Sequence, residues 1–379
     1  MLEFKDLKRQ YDTLKNEIDD AIYSVVRETN FISGKPIGRL EEELAEYVGT
    51  RFCVGCGNGT DALSLALMVW GVGAGDAVFV PDFTFFASGE VVAYIGATPI
   101  FVDVEEETYN IDCRKLEKAI IQTFEKGKLR PKVILAVDLF GQPANFEEIH
   151  KIAEKYGLKI LEDGAQGFGG MLKGKRACSL GDISTTSFFP VKPLGCYGDG
   201  GAIFLNDEAE EKLVRSYQNH GKGGHKYDNV RIGVNSRLDT LQAAILQVKF
   251  KEFRDSELQR INELAQIYNH KLEGIVGIPR IKEGAFSSWA QYTVRLPNRT
   301  AREGLHEYLG AKGIPSMIYY PKPMHKQLAF EDSFLYYKEE DYEVTNKLCD
   351  TVLSLPLHPY MKEEDLQMVI ETIKRYLSQ

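Results

Sequence analysis

A lysine with no carboxylate close to it in sequence is the most informative residue of this chain. Lys192 lies in SFFPVKPLGCYGDGG, residues 187–201, and no acidic residue falls within six positions on either side. An amine kept from water and from carboxylates gives up its proton more readily, because desolvation penalises the ammonium form. A Schiff-base lysine needs that property. Taken alone, the same residue also reads as a solvated loop lysine. Two further segments bear on the choice. Residues 57–63, GNGTDAL, follow an apolar run and open a helical pattern, with Gly59, Thr60 and Asp61 at the turn. A helix N-terminus binds phosphate through its unpaired N–H groups and its dipole. The plainer reading is a strand-to-helix turn capped by Thr60 or Asp61. Residues 162–170, EDGAQGFGG, place Asp163 at the end of another apolar run, with Gln166 three residues on. Asp163 can pair with a protonated pyridine nitrogen and keep the ring an electron sink; it can equally cap a glycine-rich loop. A phosphate cradle, a strand-end carboxylate and a weakly basic lysine match the phosphate, ring nitrogen and aldehyde of pyridoxal 5′-phosphate.

These residues must be held by short apolar runs that alternate with helical patterns. Strands are predicted at 51–56, 77–81, 98–102, 133–138, 159–163, 183–188 and 202–205. Between them, 61–70, 87–96 and 146–156 read as helices, after an opening helix at 14–27 and a second near 38–47. Strands alternating with helices of about ten residues imply an α/β fold with a largely parallel sheet. In such sheets ligands gather at the carboxyl ends of the strands, where all three motifs fall. The alternation ends near 233–250, where a long helix rich in Leu, Ala and Ile is predicted. Beyond about 256 long helices dominate, with a strand at 289–296. The pattern divides the chain into a large cofactor-binding domain, 15–250, and a smaller C-terminal α/β domain, 251–379, on which residues 1–14 pack.

Composition narrows the class. With 379 residues, 44% hydrophobic and 27% charged, the chain can bury a large core. A net charge of −9 argues against a general binder of nucleic acid or membrane surfaces. The N-terminus is charged from its third residue, unlike a secretory signal, and no apolar stretch reaches the length of a membrane span. Six dispersed cysteines suit a reducing cytoplasm. Cys53 and Cys56 form a CxxC without a second pair, so they read as small strand residues and no metal site is expected. The GxGxxG spacing of a nicotinamide-binding sheet is missing from the first strands.

Nearly end to end, from FKDLKRQY through PDFTFFAS, EDGAQGFGG, SFFPVKPLGCYGDGGAIF and GVNSRLDTLQAAIL to LSLPLHPY, the chain resembles the DegT/DnrJ/EryC1/StrS family of nucleotide-sugar aminotransferases. The resemblance implies the aspartate-aminotransferase architecture (fold type I) and pyridoxal phosphate carried on Lys192. It implies Asp163 at the ring nitrogen, Gln166 at the ring hydroxyl, and Gly59, Thr60, Asp61 and Ser187 at the phosphate. Phe85 falls where the family sets an aromatic ring against the cofactor face. The family shares its active site across a homodimer, so Asn235 is expected to reach the phosphate from the partner chain. Three departures stand out: Gly164 where alanine is frequent, Tyr319 before Tyr320 where His-Tyr-Pro is common, and Asp138 where His or Ser is frequent. Tyr319 and Tyr320 are expected beside the sugar.

The Asn-Ser-Arg version of residues 235–237 is similar to members acting on a UDP-linked 3-keto-N-acetylglucosaminuronic acid. Arg237 suits such a substrate because a planar guanidinium binds a carboxylate bidentately; its plainer role is an interface salt bridge. The expected activity is amino transfer from glutamate, released as 2-oxoglutarate, to that keto sugar for surface polysaccharide synthesis. The alternatives are a 3- or 4-aminotransferase for a 6-deoxy sugar on dTDP or UDP, and a regulator that binds without turnover.

Overall fold

Apolar runs of five to eight residues become the strands at the centre of the molecule. The computed structural model describes residues 2–225, 227–331 and 339–378. In chain order the strands are β1 (Phe52–Cys56), β2 (Asp76–Pro81), β3 (Thr98–Val102), β4 (Arg130–Val137) and β5 (Lys159–Asp163). A short hairpin, β6 (Met171–Leu172) and β7 (Lys175–Arg176), precedes β8 (Ile183–Ser187) and β9 (Gly201–Leu205). Among the described residues, seven of these form one sheet in the order β1-β9-β8-β5-β4-β2-β3. The pairs from β3 to β8 are parallel, whereas β9 runs antiparallel to both neighbours, β8 and β1.

Both faces of the sheet are covered. Val78 and Val80 of β2 point to one side, where they meet Leu63 and Leu67 of the helix Gly59–Val69 and Val91 and Val92 of Ala87–Tyr94. Ala77 and Phe79 point to the other, against Leu116 and Ile120 of Cys113–Lys126 and Phe146 and Ile149 of Phe146–Tyr156. This period of two, with both faces apolar, is why the runs read as continuous in the sequence. Full burial of a ring such as Phe79 stabilises by about 1.5–3 kcal/mol.

Three expected elements begin elsewhere. The opening helix spans Leu7–Glu28, because Asp6 caps it by accepting the Arg9 N–H. The long helix expected over 233–250 is Thr240–Glu252, and the preceding residues are extended. A Cβ on Gly233 would lie 2.3 Å from Gly221 N, so that stretch is pressed against its neighbour in a way a helical repeat would not permit. The strand expected at 289–296 is β11 (Tyr292–Arg295), since Trp289 sits in the left-handed region at φ 50° and breaks the extended run.

After the short β10 (Ala285–Phe286), β11 pairs antiparallel with β12 (Val352–Leu355). Around them Tyr292, Val294, Leu305, Leu309, Leu355, Val369 and Ile373 form a second apolar cluster, which Leu2 joins. Lys5 Nζ donates to the Leu357 carbonyl at 2.9 Å and Arg9 Nη1 to the Tyr360 carbonyl at 2.8 Å. Further along the same opening helix, Leu14 and Ile18 pack on Ile245.

Candidate active site

The carboxyl ends of β1, β2, β4, β5 and β8 open to one edge of the sheet, and the predicted chemistry is distributed over them. After β1 the chain turns through Gly57 and Asn58 into the helix Gly59–Val69. The cap of this helix is Asn58, not Thr60 or Asp61. Its Oδ1 accepts the Asp61 N–H at 2.8 Å and its Nδ2 donates to Asp61 Oδ2 at 3.0 Å. The Asp61 N–H is therefore engaged, and helix geometry leaves Gly59 and Thr60 as the first donors facing outward. Ser187, at the end of β8, lies directly opposite: a Cβ on Gly59 would sit 2.7 Å from Ser187 Cβ. Gly201 is equally constrained, since a Cβ there would lie 2.6 Å from the Asn58 carbonyl oxygen. Two strand ends and a helix start thus form one cradle that only glycine permits.

Asp163 ends β5 and is 5% exposed. Its Oδ2 accepts from Ser88 Oγ at 2.8 Å and its Oδ1 from the Ala165 N–H at 3.2 Å. Burial raises its pKa, opposed by the Ser88 hydrogen bond, the Ala165 N–H and the charge of Lys192. Lys192 is partly buried, and burial lowers its pKa, with Asp163 acting against the shift. The lysine that is remote from acids in sequence therefore shares its surroundings with one in space. Gln166 is held at both ends of its amide: Oε1 accepts the Phe140 N–H at 2.8 Å, and Nε2 donates to Tyr320 Oη at 3.1 Å. The second Nε2 hydrogen remains available to an acceptor.

An aromatic wall closes this edge. Phe85 follows β2 and is 54% exposed, a large fraction for a phenylalanine, with its ring 6.4 Å from that of Tyr320. Tyr320 also meets Phe83 and Tyr319, and Tyr319 meets Phe4 edge-on at 6.3 Å. The two sides of the wall are clamped by Asp82. Its Oδ1 accepts the His325 N–H at 2.8 Å, its Oδ2 lies 2.7 Å from His325 Nδ1, and its carbonyl accepts the Met324 N–H.

Behind Asp163 lies a buried carboxyl pair. Glu162 accepts from the N–H groups of Cys178, Leu180 and Gly181 and from Ser184 Oγ. Asp138, fully buried at the end of β4, accepts the Ala144 N–H, while its Oδ2 is without a hydrogen-bond partner. Burial and the neighbouring Glu162 charge push the Asp138 pKa well up, which favours its protonated form. In the unfolded chain Asp138 ionises near pH 4. Its contribution to stability is complete below that pH and is lost as pH rises toward the folded-state pKa. Asp138→Asn replaces the proton with a permanent amide hydrogen. Its melting temperature should exceed that of the parent at pH 8 by several degrees (about 2–4 °C per kcal/mol for a protein somewhat smaller than this one) and converge with it near pH 4. An equal difference at both pH values would show that the pair holds no proton.

Asn235 and Arg237 make their contacts at one side of the cradle. Asn235 is exposed and bridges to Asn219, and Arg237 Nη1 donates to Asn219 Oδ1 at 2.8 Å. Arg237 Nε is buried without a partner. Ser236 between them accepts the Gly57 N–H at 2.9 Å and fixes this segment to the cradle. Cys53 and Cys56 are buried in β1 with their thiol pKa values raised by burial, and no cluster able to hold a metal occurs among the described residues. Sequence reasoning missed Asn58, Thr84, Ser88 and Glu162. A cap one residue before a helical run is a readable signal for Asn58. Ser88 and Glu162 had none, because their partners are remote in sequence, and Thr84 gains its meaning only through Ser88.

The chain matches the DegT/DnrJ/EryC1/StrS aminotransferase family over residues 12–374. It belongs to that family. UDP-2-acetamido-2-deoxy-3-oxo-D-glucuronate aminotransferase from Pseudomonas aeruginosa is 44% identical over 370 residues, 97% of this chain and 98% of that one. A pleiotropic regulatory protein from Geobacillus stearothermophilus is 40% identical, covering 98% and 97%. dTDP-3-amino-3,6-dideoxy-alpha-D-galactopyranose transaminase from Aneurinibacillus thermoaerophilus is 38% identical, covering 99% of each. Among solved structures, a DegT/DnrJ/EryC1/StrS aminotransferase from Brucella abortus superposes with TM-score 0.96 at 44% identity over 100% of both chains. NtdA from Bacillus subtilis, with its bound cofactor PMP, superposes with TM-score 0.88 at 29% identity over 97% of this chain and 82% of that one.

As a DegT-family member the chain is a pyridoxal-phosphate-dependent sugar aminotransferase of the fold type I architecture, as the sequence resemblance implied. Its residues fit the cofactor. The Gly59–Ser187 cradle suits a phosphate, the buried Asp163 carboxylate suits a cationic ring nitrogen, and the weakly basic Lys192 suits an aldehyde.

Proposed function

We propose that the enzyme moves the amino group of glutamate to C3 of UDP-2-acetamido-2-deoxy-3-oxo-D-glucuronate. The observation that carries this reading is end-to-end similarity to the Pseudomonas enzyme of that name, joined to a buried unpartnered nitrogen on Arg237. Bound pyridoxal phosphate supplies a carbonyl that accepts and passes on the amino group, and a ring that absorbs an electron pair. Gly59, Thr60 and Ser187 hold its phosphate, Asp163 keeps a proton on its ring nitrogen, and Gln166 meets the ring hydroxyl. Lys192, whose pKa desolvation lowers, takes the proton from the donor's α-carbon and later returns one to the sugar carbon. Phe85 and Tyr320 exclude water from the exchange, with Tyr319 beside the sugar.

Asn235 and Arg237 act in this scheme from a second copy of the chain, in a homodimer. Ile232, 90% exposed, and Val230, 54% exposed, supply apolar surface next to them for such an interface. A cytoplasmic enzyme of surface polysaccharide synthesis is in keeping with the absence, among the described residues, of any helix long and apolar enough to cross a membrane. The division at residues 250 and 251 stays part of the same proposal. The regulatory name of the Geobacillus relative favours a second reading, binding without turnover.

Absorbance of the pure protein before and after glutamate separates the two. A near-visible band that gives way to a shorter-wavelength one, and returns on adding the keto uronate, supports transfer. A band that glutamate leaves unchanged supports the regulator. A band restored only by a neutral 6-deoxy keto sugar would replace the proposed substrate.

A further inference from the structure

Thr84 and Ser88 have no part in the scheme above, yet both point at its electron sink. They come from PDFTFFAS, the segment that follows β2 and carries Phe85, and both are buried, at 4% and 1% exposure. Ser88 lies in the first turn of the helix Ala87–Tyr94. Its hydroxyl donates to Asp163 Oδ2 at 2.8 Å, and Thr84 Oγ1 lies 3.1 Å from Ser88 Oγ. A carboxylate only accepts, so the Ser88 proton is committed to Asp163 and its lone pair receives the Thr84 proton. The direction of the whole chain is therefore set: Thr84 to Ser88 to Asp163. The Ala165 N–H holds the other carboxylate oxygen at 3.2 Å.

We propose that Thr84 and Ser88 are positioning residues that fix the rotation of the Asp163 carboxylate and keep it charged toward the cofactor's ring nitrogen. The inference rests on the cofactor assignment and adds to it a control of the ring's protonation. In a nearly dry site a carboxylate short of donors draws a shared proton to itself. Two donors, one polarised by Thr84, oppose that pull and leave the proton on the ring. Around Asp163 the other ionisable groups are Lys192 on the loop after β8, Tyr320 on the aromatic wall, Asp138 at the end of β4 and Cys178. Of these only Lys192 is a cation, and it is the group that chemistry consumes. Hydroxyl donors supply a constant bias that does not depend on the state of Lys192.

The test compares the parent protein loaded with pyridoxal phosphate against Ser88→Ala, Thr84→Val and Ser88→Thr. Three quantities are read: the pH midpoint of the near-visible band, the dissociation constant for pyridoxal phosphate, and the rate and half-saturation of the glutamate reaction. A ring with less positive charge leaves the lysine-linked nitrogen more basic. Ser88→Ala should therefore raise the midpoint by about half to one pH unit. It should also slow the glutamate reaction about 10- to 100-fold, with half-saturation nearly unchanged. Thr84→Val should move both in the same direction by less, and it serves if Ser88→Ala does not fold. Ser88→Thr, which keeps the hydroxyl, should restore the midpoint. Midpoints and rates that stay at the parent values in Ser88→Ala and Thr84→Val would overturn the proposal while leaving the cofactor assignment standing. A parent protein that takes up no pyridoxal phosphate would overturn both.

Discussion

Lys192→Ala, supplied with pyridoxal phosphate, should show no near-visible band of lysine-linked cofactor. Its glutamate reaction should fall by at least about 10³-fold, the upper part of the range for losing a positioned proton-transfer group, because two functions leave together. Among the described residues, Lys192 is the amine whose charge acts on Asp163. Lys5 and Lys249 also have their pKa lowered to about 8 by burial, yet Lys5 donates to the Leu357 carbonyl and responds to Glu257, and Lys249 lies against Tyr197 and responds to Glu257 and Cys196. Lys192→Arg should be as inactive as the alanine variant, because a guanidinium is never unprotonated near neutral pH. Absorbance and single-turnover transfer of the amino group measure both. A variant that keeps a tenth of the parent rate would move the chemistry to another residue and leave the lowered basicity of Lys192 a by-product of packing.

The second large effect is expected at Arg237, where it appears as selectivity more than as rate. Arg237→Ala should reduce kcat/KM for the keto uronate about 10²- to 10³-fold, in line with removal of one partner from a desolvated charged pair. The neutral 3-keto sugar, which has no carboxylate to leave unpaired, should change less than about threefold. Arg237→Lys should fall between, since an ammonium keeps the charge and loses the bidentate fit. The structural alternative has a different signature. If Arg237 serves only to hold Asn219, the alanine variant melts lower and both substrates suffer equally. Mixing Arg237→Ala with Lys192→Ala protomers adds an independent check. In a dimer whose site takes Arg237 from the partner, one of the two hybrid sites regains both residues and activity on the uronate returns.

What the sequence made legible was whatever is written locally. Most strands of the sheet announced themselves by an apolar run, because both faces of β2, β4 and β5 are buried and need no alternation of polarity, whereas β8 reads Ile-Ser-Thr-Thr-Ser. Asp163 was readable as a carboxylate at the end of such a run, whereas Ser187 closes a polar strand and was implied only by the family resemblance. The helix boundary at Thr240 was missed: residues 233–239, rich in the weak helix formers Gly, Val, Asn, Ser and Asp, are held extended by contacts with residues 217–221. Ser88 and the fixation of Gln166 were not readable. The first is 75 residues from Asp163, the second 154 from Tyr320, and only the tertiary fold brings each pair together. Asp138 stood out as an unusual residue type, but its meaning lies in Glu162 on the adjacent strand, which pairs Ala136 with Glu162 in register.

The cradle, the Asp163 carboxylate and the aromatic wall belong to the ends of four different strands and to residue 320, more than 100 positions beyond the last of them. A single small molecule that touches all of them is a tie bolt through the fold. Binding only to the folded chain, it adds RT ln(1 + [L]/Kd) to stability, about 2.7 kcal/mol at a hundredfold excess over Kd. Under the proposed site assignment, the folded population of this enzyme and its survival against proteases should follow the supply of vitamin B6 as well as the rate at which the protein is made.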